Sequence, residues 1–259
     1  RQPKVFAFLF FVVVGVLALH AAALAQPVPP TAPTIPLPSL NIGVGQVTKP
    51  SDVVLSLQIL LLLTVLTLAP TLLVLLTSFT RIIIVLSFTR MAMGTQTMPP
   101  NQILVGLALM LTFFVMKPTF TDINDHALQP YLGKKISQAQ ALDTASKPLR
   151  AFMFRQTREK DIAIFYTITK DPRPAKQADV PTYILVPAFV LSELKTAFEI
   201  GFAIYIPFIV IDMVVASILL SMGMMMIPPI TISLPFKILI FLLVDGWSLV
   251  VTSLFASFK

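Results

Sequence analysis

Residues 184–227 read ILVPAFVLSELKTAFEIGFAIYIPFIVIDMVVASILLSMGMMMI, an almost continuous apolar run of 44 residues. As a single α-helix this run would be roughly 66 Å long, about twice the hydrocarbon thickness of a bilayer. We therefore expect the helix to be broken or kinked. Glycine and proline are the usual causes of such breaks, and the candidates are Pro187, Gly201, Pro207 and Gly223.

The composition of the whole chain indicates a membrane protein. Of its 259 residues, 56% are hydrophobic and only 12% are charged, with a formal net charge of +7. A soluble domain needs more charged surface, and a disordered chain has fewer apolar residues. The basic residues are scattered without interleaved aromatic residues, so nucleic acid is not an expected partner. The sequence predicts an all-α integral membrane protein.

Other apolar segments depart from ordinary spans in the same way. Residues 53–78 are long enough to cross a tilted bilayer and contain Pro70, where we expect a kink. Residues 103–116 cover only roughly 21 Å as a helix, which favours a buried or re-entrant segment. The predicted organisation is a first hydrophobic helical hairpin over 53–116, a polar periplasmic helical insert over 117–182, and a second, kinked hydrophobic hairpin over 183–259.

The first 25 residues have the features of a secretory signal peptide. A short basic start and 15 uncharged residues precede the small-residue motif Ala-Leu-Ala, which ends at Ala25. We expect cleavage between Ala25 and Gln26. The alternative is an uncleaved first membrane helix. An export signal followed by apolar segments indicates the bacterial inner membrane.

A signal peptide also sets the sidedness of the chain. The proline-rich residues 26–52 are expected to form an extended periplasmic tether. Residues 81–100 would then be a cytoplasmic loop, which agrees with their two arginines and lack of acidic residues. Residues 117–182 and the carboxyl terminus would face the periplasm.

Ionisable residues lie within the apolar segments, where an unpaired charge is costly. We expect them to form buried charge pairs against copies of the chain or partner subunits. The alternative is that some, such as Glu199, lie at a helix end and extend into the headgroup region. The predicted charge-pair residues are Glu193, Lys195, Asp212, Lys237 and Asp245.

The polar insert is expected to contain two helices. Ser137 and Gln140 form a capping box that begins the first helix. Pro148 is expected to begin the second helix, which continues to Lys170. Its phenylalanines belong either to a thin core of this hairpin or to the lining of an oligomer. Two ion pairs are expected on its surface: Arg155 with Glu159, and Arg158 with Asp161.

Residues 221–229 read SMGMMMIPP. Gly223 and the Pro228–Pro229 pair end the preceding helix, and both prolines are expected to kink the chain. Methionine is flexible and polarizable, so consecutive methionines fill irregular gaps or adapt to varied surfaces. The turn is therefore either a space-filling loop or a compliant apolar constriction that closes a pore.

The residues for catalysis and metal binding are missing. The chain has no cysteine and only two histidines, which excludes thiolate sites and histidine-based triads. No glycine-rich phosphate loop occurs. We expect no metal, no cofactor and no enzymatic activity.

Six strings together resemble the FliP family of bacterial flagellar type III export gate proteins, which has SctR-type relatives in virulence systems. The proline-rich tether has no counterpart in this resemblance. The strings are TSFTRIIIVLSFTR (77–90), PPNQILVGLALMLTFFVM (99–116), FRQTREKD (154–161), PAFVLSELKTAFEIGF (187–202), IPFIVIDMVVASILLSMGMMMIPP (206–229) and LPFKILIFLLVDGW (234–247).

The resemblance implies a subunit of a helical oligomeric pore. Five FliP-like subunits would assemble with FliQ and FliR in the basal body and conduct unfolded flagellar proteins. The hairpins would be raised out of the membrane plane as walls of the complex. A methionine gasket would fall on Met224, Met225 and Met226, and an aromatic ring on Phe152 and Phe165.

Three alternatives remain at this stage. The chain could be the equivalent subunit of a virulence secretion system. It could be a proton-coupled transporter with a relay through Glu193, Asp212 and Asp245. An intramembrane enzyme is the third alternative, and no motif supports it.

Overall fold

The computed structural model describes residues 59–64, 66–68, 71, 74–95, 97–174, 176–224 and 226–258. The expectations for the signal peptide, the tether, Pro70 and Met225 lie outside these residues. Every regular element within the described ranges is helical, so the predicted all-α class is confirmed.

The helices follow one another through short connections. A π-helical turn, Asn124–Leu128, joins the helix that ends at Ile123 to the helix that begins at Gln129, and a 3-10 turn, Gln177–Asp179, precedes the helix that begins at Thr182. A short apolar helix, Ile59–Leu68, lies before the first numbered helix. The described α-helices that follow it are α1 Phe79–Ala92, α2 Asn101–Ile123, α3 Gln129–Leu132, α4 Gln138–Gln156, α5 Glu159–Thr169, α6 Thr182–Ser221, α7 Pro229–Leu243 and α8 Gly246–Ala256.

Two of the described helical runs are long and apolar enough to cross a membrane. They are Asn101–Leu132, with 32 residues, and Thr182–Ser221, with 40 residues. The pair α7 and α8 meets at a bend of 64° and makes a third candidate span if the two helices count as one. These helices support the membrane class.

Helix α6 is the central element, because α1, α4, α5 and α7 all pack against it. Its contact with α1 is close at Gly201, where a Cβ atom would lie only 2.6 Å from Cγ of Phe88. Around this contact the core includes Val85 and Leu86, both fully buried. Burying such side chains contributes about 1.5–3 kcal/mol each.

Helices α6 and α7 form an antiparallel hairpin. The Phe208 and Phe241 rings lie 6.2 Å apart, and Lys237 of α7 bonds Asp212 of α6. Residue numbers therefore rise along one helix as they fall along the other. A second apolar cluster holds the polar insert against α2 and the start of α6, and it includes Met116, Phe152, Met153, Tyr166 and Phe189.

The expected break of residues 184–227 is wrong before Ser221, whereas the kinks expected at Pro187 and Pro207 stay predictions. Helix α6 continues through Pro187, Gly201 and Pro207 and ends only at Ser221. A proline in a helix interior costs about 3 kcal/mol, but packing on several sides can offset that loss. Four other helices pack against parts of α6, and these are contacts that the sequence does not display.

Residues expected in a cytoplasmic loop form helix α1 instead. Arg81, taken as a loop residue, is 1% exposed within the protein. The next apolar segment is also longer than expected: α2 runs through Lys117 and Pro118 to Ile123. It therefore crosses the boundary expected between 116 and 117.

The polar insert confirms one prediction and corrects two others. The capping box is present, with the Ser137 side chain accepting from Gln140 and the Gln140 side chain accepting from Ser137. Pro148 does not begin a helix, because α4 passes through it to Gln156. The chain breaks at Thr157 instead, and Arg158 caps the start of α5. The predicted ion pairs on a continuous helix are therefore wrong.

Candidate functional site

Arg81, at the start of α1, is the centre of a buried polar network. Its Nε donates to Oε2 of Glu193 at 2.9 Å, and Nη2 donates to Oε1 of the same carboxylate. Nη2 also donates to Oε1 of Gln156 at 2.9 Å, and Nη1 to the carbonyl and hydroxyl oxygens of Ser257 at 2.8 and 3.1 Å. All five N–H donors therefore have an acceptor. The Phe258 ring lies 4.0 Å from Cζ.

A second charge pair joins α6 to α7. Nζ of Lys237 donates to Oδ2 of Asp212 at 2.5 Å, and Oγ of Ser233 donates to Oδ1 of the same carboxylate at 2.6 Å. The Lys237 side chain is 4% exposed and the Asp212 side chain 29%. The carboxylate thus compensates an ammonium group that is nearly removed from water.

A third network fixes the polar insert on α6. The backbone N–H of Arg158 donates to Oγ of Ser192 at 3.1 Å, and that hydroxyl donates to Oδ2 of Asp161 at 2.5 Å. The Arg158 guanidinium donates to Glu199 at 2.7 Å and to Thr196 at 3.2 Å. The break between α4 and α5 therefore has its polar groups satisfied by α6.

Two of the five predicted charge-pair residues have no ion pair in the described part of the chain. Lys195 and Asp245 are both exposed, and neither is in a salt bridge there. Glu193, Asp212 and Lys237 find their partners within the same chain, whereas the sequence analysis expected partners on neighbouring subunits.

The methionine turn is an ordered helix end with exposed side chains. Gly223 has φ +74°, its N–H bonds the Leu220 carbonyl at 3.1 Å, and the N–H of Met224 bonds the Leu219 carbonyl at 3.0 Å. These two bonds are the Schellman arrangement that ends many helices. Met224 is 42% exposed and Met226 is 97% exposed.

The turn ends at two prolines. Pro228 is the N-cap of α7 and Pro229 its first residue, where proline costs the helix no hydrogen bond. Backbone hydrogen bonds thus fix the start of the turn, and the rings of Pro228 and Pro229 restrict the backbone at its end. The side chains of Met224 and Met226 are exposed at this turn.

The two phenylalanines expected in an aromatic ring have different environments. Phe152 is 3% exposed, and its ring packs against Phe189 at 5.9 Å. Phe165 is partly buried at the edge of the same cluster. Only Phe165 therefore has surface left for contact outside the chain.

Among the described residues, no group of three or more His, Asp or Glu side chains could hold a metal ion. The polar networks consist of ion pairs and hydrogen bonds that satisfy one another. Each of these networks joins α6 to at least one other helix.

Comparison with known proteins decides the family. The FliP family model matches residues 62–254. The flagellar biosynthetic protein FliP of Bacillus subtilis is 56% identical over 217 residues, which cover 84% of this chain and 98% of that protein. The chain belongs to the FliP family. The FliP proteins of Pectobacterium carotovorum and Aquifex aeolicus are 52% and 45% identical, over 79% and 86% of this chain and 79% and 92% of their own lengths.

Membership of the FliP family makes the chain a component of the flagellar export apparatus. Its long apolar helices make it a membrane protein. The matched range includes the three polar networks except for Ser257 and Phe258, and it includes the methionine turn.

Sequence reasoning missed Arg81 as a site residue of this FliP-family chain. One signal could have found it, because Glu193 needs a cation and arginine is the usual partner of a buried carboxylate. Gln156, Ser192 and Ser233 were also missed. Nothing in their local sequence separates them from other polar residues.

Proposed function

We propose that the chain is a pore-forming subunit of the flagellar type III protein export gate and conducts unfolded flagellar proteins. Its proposed location is the bacterial inner membrane, within the flagellar basal body and with substantial periplasmic exposure. The proposed assembly contains five copies together with FliQ and FliR, and the chain has no enzymatic role. Membership of the FliP family supports this proposal.

The methionine turn carries the pore-forming part of the proposal. It places the thioethers of Met224 and Met226 at the exposed end of a 40-residue helix. Methionine side chains change conformation at little cost. A ring of them can therefore close an empty channel or fit around an extended chain that passes through it. With Met225 between them, they form the proposed gasket.

The aromatic part of the seal is assigned to Phe165. It lies on α5, which the network of Ser192 and Asp161 ties to α6. A ring of partly exposed Phe165 side chains would narrow the channel at a second level. Phe152 packs inside its own chain and supports α4 against α6 from there.

The geometry argues against a proton relay. Glu193 and Asp212 are each held by a cation and by further hydrogen bonds. A relay carboxylate needs access to a proton donor on one side and an acceptor on the other. The virulence-system alternative is less well supported, since the relatives named above are flagellar proteins.

Conductance measurements test the gasket. The assembled complex would be placed in a planar lipid bilayer, with residues 224–226 either intact or deleted. We expect normal assembly and a steady ion leak from the deletion variant. Met213→Ala, which removes an exposed methionine within α6 and away from the turn, is the control and should remain sealed. A deletion complex as ion-tight as the wild type would overturn the gasket.

A further inference from the structure

Asp245 occupies an unusual position for a carboxylate. It lies at the 64° corner between α7 and α8, with φ +50°, and its side chain caps neither helix. Its neighbours Leu242 and Leu243 are each 74% exposed. The Asp245 carboxylate thus lies at an exposed apolar bend between α7 and α8.

No cation in the described part of the chain pairs with this carboxylate. Ionisable residues in apolar membrane segments almost always face a partner or water. If another chain covers the exposed leucines around Asp245, the carboxylate needs a cation. That cation must come from outside the corner itself.

Lys195 has the complementary features. It follows Glu193 by two residues, so it points about 200° away around α6, opposite the face that meets α1. It is exposed. The nearby Glu199 already accepts two hydrogen bonds from Arg158. Lys195 therefore makes no ion pair in the described part of the chain, although Glu199 lies close enough to interact with it electrostatically.

Geometry prevents the two residues from pairing within one antiparallel hairpin. Phe241 is level with Phe208, so Asp245, four residues further along, is level with Ile204. Lys195 lies nine residues from that level, which is about 14 Å along α6. Two copies shifted along this axis by a comparable distance would bring the two charges together.

We propose that Asp245 of one copy pairs with Lys195 of the next copy, and that this pair sets the stagger between adjacent copies. Such a contact joins two different surfaces of the same chain, which is the head-to-tail type that builds rings and helices. The inference rests on the proposed function only in requiring several copies of the chain. The other side of the contact is the Lys195 ammonium group. The neighbouring copy would therefore place its Asp245 against the face of α6 that lies opposite α1.

Charge reversal tests the pair. Asp245→Lys and Lys195→Asp would be made singly and together, and the detergent-extracted complexes measured by native mass spectrometry. We expect each single variant to reduce the multimeric fraction at least tenfold and the double variant to restore most of it. Asp143→Lys, which reverses an exposed carboxylate in a local pair with Lys147, is the matched control and should assemble normally.

Crosslinking gives a second, independent measurement, because the natural chain contains no cysteine. Lys195→Cys and Asp245→Cys chains with different tags would be co-expressed and treated with a short bismaleimide. We expect crosslinked pairs that carry both tags, and few pairs that carry the same tag twice. Circular dichroism of each variant distinguishes lost assembly from lost folding.

The outcomes separate the two proposals. A wild-type chain that stays monomeric would overturn the pore subunit and the pair together. Wild-type multimers with no mixed-tag crosslink, or with reversal variants that assemble normally, would overturn only the pair. Loss on Asp245→Lys without rescue by Lys195→Asp would assign the corner to a cation of another protein and also overturn the pair.

Discussion

Arg81 and Glu193 form a two-pronged ion pair between α1 and α6, and the guanidinium group has no unused donor. The pair is completely buried. Buried pairs of this kind add little net stability, but removing one partner leaves the other charge without compensation. The contact between α1 and α6 therefore depends on both partners being present.

Arg81→Leu should destabilise the chain by about 3–5 kcal/mol, because Glu193 would remain buried without a cation. The measurement is unfolding of the detergent-solubilised protein in sodium dodecyl sulfate, followed by the helical circular dichroism signal. The double variant Arg81→Leu/Glu193→Leu should recover much of the loss. A single variant as stable as the wild type would mean that the network does not hold α1 in place.

Asp212→Ala should separate α7 from α6, since it leaves the Lys237 ammonium buried and alone. We expect the multimeric complex to be lost in native mass spectrometry. Asp212→Asn is the milder variant, because the amide oxygen can still accept from Ser233. Complexes of normal stoichiometry from the alanine variant would show that this pair is dispensable for assembly.

Gly201→Ala should cost about 1–3 kcal/mol, because the added methyl group would overlap the Phe88 ring. Gly106→Ala provides a matched control on α2, where a Cβ would meet nothing within 4 Å. The control should be neutral or stabilising, since alanine favours a helix over glycine by about 1 kcal/mol. Equal behaviour of the two variants in thermal unfolding would contradict the close contact of α1 and α6.

Ser192→Ala should loosen the polar insert. The substitution removes the hydrogen bond to buried Asp161 and the acceptor for the Arg158 backbone, at a cost of about 1–3 kcal/mol. Limited proteolysis between α4 and α5 would report the change as faster cleavage. Ser217→Ala is the control, because Ser217 is exposed and bonds only the carbonyl of Met213 in its own helix. Unchanged cleavage of the Ser192 variant would count against the proposed anchor.

The sequence alone predicted the all-α membrane class, the family and the charged residues that needed partners. Glu193, Asp212 and Lys237 stood out because a charge within an apolar segment is visible in a single sequence. Their partners were less visible, because Arg81 lies 112 residues from Glu193. The distance between partners is a property of the packing, which local patterns do not encode.

The errors about helix breaks have a common cause. Pro148, Pro187 and Pro207 all predict interruptions, yet the helices continue through them. The break after α4 occurs at Thr157, where Ser192 and Glu199 supply bonds from another helix. Local preference therefore did not decide these helix boundaries. The capping box at Ser137 was predicted correctly because its bonds are entirely local.

The Arg81 network also constrains how the protein is made. Arg81 leaves the ribosome 112 residues before Glu193 and 176 residues before Ser257. At about 5–20 residues per second, the guanidinium waits roughly 9–35 s for its last acceptor. Until Glu193 is made, roughly 6–22 s after Arg81, α1 carries a cation without its carboxylate partner, which opposes burial of α1 in an apolar environment. The nascent chain must therefore keep α1 hydrated, or shielded by the insertion machinery, until Glu193 on α6 has been synthesised.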